Sequence, residues 1–200
     1  MIDSVSGPVA WGRVLSGVGC RGSLLGAVTA ETAETATSPA VLCCRDLPAG
    51  ALRELMGRFG LEVVEVGEGA EIPGSYWDAP EAGIVGHTLY VRGDTPIHSA
   101  LHEGCHLICA DSARRRAIHT DAGGTDLEES GVCYLQVLLA DHLPGVGSER
   151  LMADMDAWGY SFRLGSTRAW FEEDAEDALT WLREHDLVDA DGRPTFKARA

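Results

Sequence analysis

The sequence predicts an α+β fold, a small mixed sheet packed on helices, and three observations carry that prediction. Residues 61–66, Leu-Glu-Val-Val-Glu-Val, place acids between apolar side chains as a half-buried strand does. Thr88, Leu89, Tyr90, Val91 and Arg92 form a β-branched and aromatic run, closed by the turn signal Gly93-Asp94-Thr95-Pro96. Ile97, Leu101, Cys105 and Ile108 then recur at helical spacing, with Ala100 and Leu107 beside them. A sheet face and a helix stripe each need an apolar partner, and packing one on the other supplies it.

The remaining elements follow in order. Residues 1–45 differ from the rest: a Gly-rich stretch over 11–26 leads into an Ala/Thr/Glu run ending at Ser38-Pro39. Such composition buries little, so this segment is expected to be poorly ordered and residues 46–200 to form a single domain. Residues 49–59 read as an amphipathic helix ended by Gly60, before the strand at 61–66. A third strand is expected around 82–85, and Tyr76 and Trp77 in the preceding loop either wall a cleft or cover the sheet, the second being preferred. The stripe beginning at Ile97 predicts a helix over 96–111, capped by Thr95 or Asp94 with Pro96 in its first turn. A further helix opens at Thr125 or Asp126 and runs through Ala140, and two more are expected over 148–158 and 166–185. In the last of these, Glu172, Glu173, Asp174, Glu176 and Asp177 form a solvated face opposite Phe171, Ala175, Ala178, Leu179 and Leu182. Arg114, Arg115 and Arg116 follow the end of a helix, where cations complement the dipole, and are expected to cap it and face solvent.

With 200 residues and 45% hydrophobic content, the chain can bury one sizeable core. A formal charge of −15 argues against nucleic-acid binding, which is carried by Lys and Arg on phosphate. Residues 14–30 are moderately apolar but broken by glycines and Arg21, so neither a secretory signal nor membrane association is expected, and the cytoplasm is the expected location. The cysteines at 20, 43, 44, 105, 109 and 133 form no spaced disulfide framework and read as reduced thiols.

The run His102-Glu103-Gly104-Cys105-His106 carries the chemistry. Residues four apart share a helix face, so His102 and His106 can both reach one Zn²⁺ while Glu103 leans over the open coordination position. A row of histidines at 98, 102 and 106 is hard to explain as packing, because buried imidazoles need partners and exposed ones need no register. His98, near the helix start, is either exposed or set on the substrate side. Cys109 shares the ligand face and reads as a small core residue in preference to a metal contact.

Such a site needs a third ligand. In the helix opening at 125–126, positions 128, 132, 135 and 139 make one stripe of Glu, Val, Leu and Leu, so Glu128 points at the core. A buried carboxylate is costly unless a cation offsets it. Glu128 is therefore the first choice for the ligand, with Glu129, on the neighbouring Cys133/Gln136 face, as the reserve.

Taken together, the strand, the H-E-x-x-H helix and, about twenty residues later, an acidic helix opening into an apolar run resemble the gluzincin metallopeptidases, most nearly the small bacterial ImmA/IrrE-like proteins. The likeness covers roughly residues 49–144. Where that family reads E-A-N-x-F-A, this chain has Glu128-Glu129-Ser130-Gly131-Val132-Cys133, with Ser130 in the place of the usual Asn, which leaves Glu128 against Glu129 open. The resemblance implies a zincin-like domain: a small mixed sheet packed on an H-E-x-x-H active-site helix and a Glu-bearing helix, with extra C-terminal helices. It also implies a zinc peptidase or related amide hydrolase in which His102, His106 and Glu128 hold the metal and Glu103 is the general base acting on a peptide or protein substrate. An oxyanion donor is expected among Tyr134, His119, Tyr160 and Arg168, and the strand at 88–92 is expected to be a sheet edge that pairs an extended peptide. The competing readings are a metal-binding regulatory protein without cleavage and a helical interaction module in which the motif is accidental.

Overall fold

Alternation at 61–66 and the β-branched run at 88–92 resolve into two of three strands in the computed structural model, which describes residues 41–76 and 80–200. The strands are β1 (Glu62–Val66), β2 (Gly83–Val85) and β3 (Thr88–Arg92), in the order β1-β3-β2. β1 pairs with β3 in parallel, from Glu62 opposite Thr88 to Val66 opposite Arg92, and β2 pairs with β3 antiparallel. Gly86, at φ 60°, opens the two-residue turn between β2 and β3, a position that disfavours any residue with a Cβ.

β3 is therefore the central strand, and the expectation that it forms a peptide-binding edge is corrected: β1 and β2 occupy both its sides. The strand edge on that flank is β2, and the chain itself covers it. Ile84 N–H donates to Gly74 O at 3.3 Å, Ile84 O accepts from Thr120 N–H at 3.0 Å, and Gly86 N–H donates to Ile118 O at 2.9 Å. The crossing is so close that a Cβ on Gly83 would lie 2.2 Å from Pro73 O.

Among the described residues there are seven α-helices: α1 (Ala51–Gly57) and α2 (Ile97–Cys109), which pack on the sheet, then α3 (Ser112–Ala117), α4 (Asp126–Ala140), α5 (Ser148–Trp158), α6 (Thr167–Glu173) and α7 (Glu176–Glu184). α2 lies between the sheet and α4, and its Leu101, Cys105, Leu107, Ile108 and Cys109 are fully buried. Cys109 thus belongs to the core, as its small apolar character suggests. The expected caps of α2 are displaced. Pro96 itself holds the cap position, Thr95 Oγ1 accepts from Arg92 N–H at 2.9 Å, and Asp94 pairs with Arg92 at 2.6 Å, so both side chains close the turn instead. The Ile97 N–H that they would have served donates to Leu42 O at 2.9 Å.

Residues 41–45 accordingly belong to the folded part: Cys43 bridges Pro96, Cys44 N–H donates to Thr95 O, and Leu42 N–H donates to the buried Asp154 carboxylate. The expectation for residues 1–40 lies outside the described residues, as do Cys20 and Trp77. Tyr76 is 58% exposed and does not cover the sheet. The helix expected over 166–185 is two helices, α6 and α7, broken at Asp174, whose φ is −136° and whose side chain is drawn to Arg163. Among the arginines at 114–116, Arg115 is buried, not solvated, and caps α2 by donating to Leu107 O at 2.5 Å and Ala110 O at 2.6 Å. The five cysteines in the described residues form no disulfide with one another. No helix among the described residues is long and apolar enough to cross a membrane.

Candidate metal centre

α2 and α4 lie side by side, and the site forms on their shared seam. Thr125 caps α4, its Oγ1 accepting from Glu128 N–H at 3.2 Å, so the first turn begins where the sequence signals. One turn further, Glu129, Cys133 and Gln136 face the histidine row of α2.

His102, His106 and Glu129 form a group that could hold a metal ion. The two Nε2 atoms are 3.2 Å apart; Glu129 Oε1 is 3.2 Å from His102 Nε2, and Oε2 is 3.4 Å from His106 Nε2. Donors about 2.0–2.1 Å from one tetrahedral ion stand about 3.3–3.4 Å apart, so this triangle is the size that such an ion fits. His102 Nδ1 lies 3.0 Å from Gln136 Oε1, which can only accept, so Nδ1 carries a proton there and Nε2 is the ring atom turned toward the group. Gln136 is itself held by the contact of its Nε2 with Met155 Sδ at 2.8 Å.

The electrostatics express the same crowding. Burial opposes charge on His102, yet Tyr160, Cys133 and Glu129 around it hold its pKa well above the ordinary value. Burial would raise the Glu129 carboxyl, but the hydrogen bond and charge of His102, with His106, bring it down to about 2. His106 is lowered to about 4 by burial, then by the charges of His102 and Arg114. Glu103 is raised to about 7, chiefly by burial, with Glu129, Glu81 and Asp121 adding to it and His102 opposing.

Glu128, the first choice for third ligand, is turned away from this group. It is buried, as its stripe requires, but its carboxylate meets Arg114 and, at 3.3 Å, Arg199. The cation that offsets its charge is a pair of guanidinium groups, and the reserve, Glu129, joins the histidines instead.

Of the oxyanion candidates, the structure brings only Tyr160 to the site, its ring centroid 6.0 Å from that of His102. Tyr134 stacks on Phe171, His119 is exposed beside β2, and Arg168 pairs with Glu149 and Glu172 on the surface. His98 is buried, with its ring against Trp158 and Tyr160 and neither nitrogen hydrogen-bonded. Burial first, then the charge of His102, lowers its pKa to about 3. Gln136 is the site residue that sequence reasoning passed over; its signal was a lone amide seven positions after Glu129 in an otherwise apolar run. Comparison with protein-family models, with curated proteins and with solved structures finds no match to this chain.

Proposed function

We propose that this chain is a zinc-dependent hydrolase of amide bonds, a peptidase by resemblance of motif, with His102, His106 and Glu129 as ligands and Glu103 as general base. The observation that carries the reading is the donor triangle of 3.2, 3.2 and 3.4 Å on the H-E-x-x-H helix and its neighbour. Two imidazoles and one carboxylate are a donor set that catalytic zinc uses, with a fourth position left open. Zinc, when bound, supplies Lewis-acid activation of water and of a carbonyl.

The chain's own residues do the rest. Glu103, with a pKa raised to about 7, accepts a proton from water near neutral pH and returns it to the leaving amine. Tyr160, kept protonated because burial raises its pKa, donates its hydroxyl to the developing oxyanion. Gln136 fixes the His102 tautomer. Metal analysis is expected to find about one zinc per chain after mild purification, and less than about a tenth with no gain on reconstitution would overturn the reading. Glu103→Gln is expected to keep zinc and lower amide turnover by about 10²- to 10⁴-fold.

The self-covered edge of β2 favours a second reading, metal binding in a regulatory protein without cleavage, since an extended peptide finds no free strand there. Zinc retained by both wild type and Glu103→Gln, with no amide hydrolysis by either, would select it.

A further inference from the structure

The segment following α7 returns across the molecule to the two helices that carry the metal centre. Phe196, at φ 56°, packs with ring centroids 5.4 Å from Phe59 and 5.1 Å from His142, and the Arg58 guanidinium lies 3.0 Å over its ring. Three residues on, the Arg199 backbone N–H donates to Ile108 O at 2.9 Å, and Arg199 O accepts from the Arg115 guanidinium at 2.7 Å. The Arg199 side chain reaches Cys109 O and Glu128 Oε2, both at 3.3 Å. A single residue thus touches the last turn of α2, directly beyond His106, and the first turn of α4, directly before Glu129.

We infer that Arg199 is a positioning residue for the metal centre: it ties the first turn of α4 to the last turn of α2 through Glu128, and so sets the spacing of Glu129 from His106. This rests on the proposed metal site. The tie has a physical reason to be stiff. Glu128 is 4% exposed, and a buried carboxylate follows the guanidinium groups that compensate it. Its backbone N–H is already held by Thr125, so the direction of its side chain fixes the orientation of the turn that also presents Glu129. On the α2 side, Arg115 and Arg199 together take the carbonyls of Leu107, Ile108, Cys109 and Ala110, the groups a helix leaves unpaired at its end. The 3.4 Å between His106 Nε2 and Glu129 Oε2 is therefore spanned from outside by a polar link through Arg199 and Glu128.

The test measures zinc affinity by chelator competition on the full chain, for wild type, Arg199→Met, Glu128→Gln and the double variant, with the unfolding midpoint of each zinc-free protein recorded alongside. Arg199→Met keeps the aliphatic stem and removes the charge. Each single variant is expected to weaken zinc binding about tenfold or more, as the loss of groups that orient metal ligands does. The double variant is expected to be no weaker than the weaker single, because both act through one link. The surface variant Arg193→Met, whose side chain pairs only with exposed Asp191, is expected to bind zinc as wild type does. Unchanged affinity in Arg199→Met, or two losses that simply multiply, would overturn the proposal and leave the metal site standing. A wild type that takes up no zinc would overturn both. Should Arg199→Met fail to fold, wild type against Glu128→Gln decides in the same way: equal affinity overturns the positioning role, and a tenfold loss supports it.

Discussion

Glu128 and Glu129 are neighbours in the chain, both lie in the first turn of α4, and they meet their charge by opposite means. Glu128 is enclosed with Arg114 and Arg199, so that end of the α2–α4 seam supplies its own cations. Glu129 faces two imidazoles whose Nε2 atoms stand 3.2 Å apart, with Glu103 close enough for its charge to be felt. An imidazole is neutral or cationic as its surroundings dictate, and two so close cannot both be charged. One end of the seam is electrostatically complete, and the other is a group that could hold a metal ion. The difference teaches that a buried acid is a signal only when its compensating cation has been looked for along the entire chain.

The largest effect that would break or sharpen this contrast is on zinc. Glu129→Ala is expected to lower affinity by roughly a hundredfold or more, whereas Glu128→Ala lowers it only about tenfold and in addition loses roughly 2 kcal/mol of stability. That cost is set below the figure for a fully buried pair because Arg114 and Arg199 remain 30% and 27% exposed. Metal stoichiometry and urea unfolding on both variants measure it, and equal zinc loss in the two would erase the distinction.

Next in size is the pH dependence carried by His98. Its folded value of about 3 lies below the roughly 6.5 of an unfolded histidine, so between those values the unfolded chain takes up a proton that the fold refuses. Stability therefore falls as pH drops through that window, by up to about 1.4 kcal/mol per pH unit from this residue. His98→Phe is expected to flatten the dependence by that amount, read from urea midpoints at pH 7, 6 and 5; parallel curves for the two proteins would contradict it.

The smallest contrast is steric and sits on the same two helices. A Cβ on Gly131 would lie 2.7 Å from the Trp181 ring, while one on Gly104 would meet the flexible end of Met56 at 2.8 Å. Gly131→Ala is expected to cost about 1–3 kcal/mol, because the ring is rigid and buried. Gly104→Ala is expected to cost under about 1 kcal/mol, since the methionine can move and alanine favours the helix. Thermal melts of the two variants compare them, and a costlier Gly104→Ala would contradict this reading.

Much of this architecture could be read in the sequence because its signals are local. Apolar spacing located α2 and α4, Thr125 marked where α4 begins, and the stripe through Val132, Leu135 and Leu139 correctly put Glu128 in the interior. What failed was long-range. Arg199 lies 71 positions from Glu128, and no pattern of period 3.6 announces it. The central place of β3 depends on parallel pairing with β1 across an intervening strand, which alternation cannot report. The break between α6 and α7 falls in a dense acidic run, where like charges three and four apart oppose helix and Arg163 draws Asp174 outward. The triangle of His102, His106 and Glu129 was half legible: the histidines by motif, the glutamate only as one of two.

The covering of β2 leaves the sheet open to other molecules along β1 alone, where no strand among the described residues pairs with the outer side. Glu62 and Glu65 stand exposed on that strand, in a chain whose sequence pI is about 4.7. Their repulsion guards the rim at neutral pH, as charged edges do in other β-proteins. A Glu62→Val, Glu65→Val double variant loses that guard and is expected to self-associate at neutral pH, which light scattering against the wild type checks.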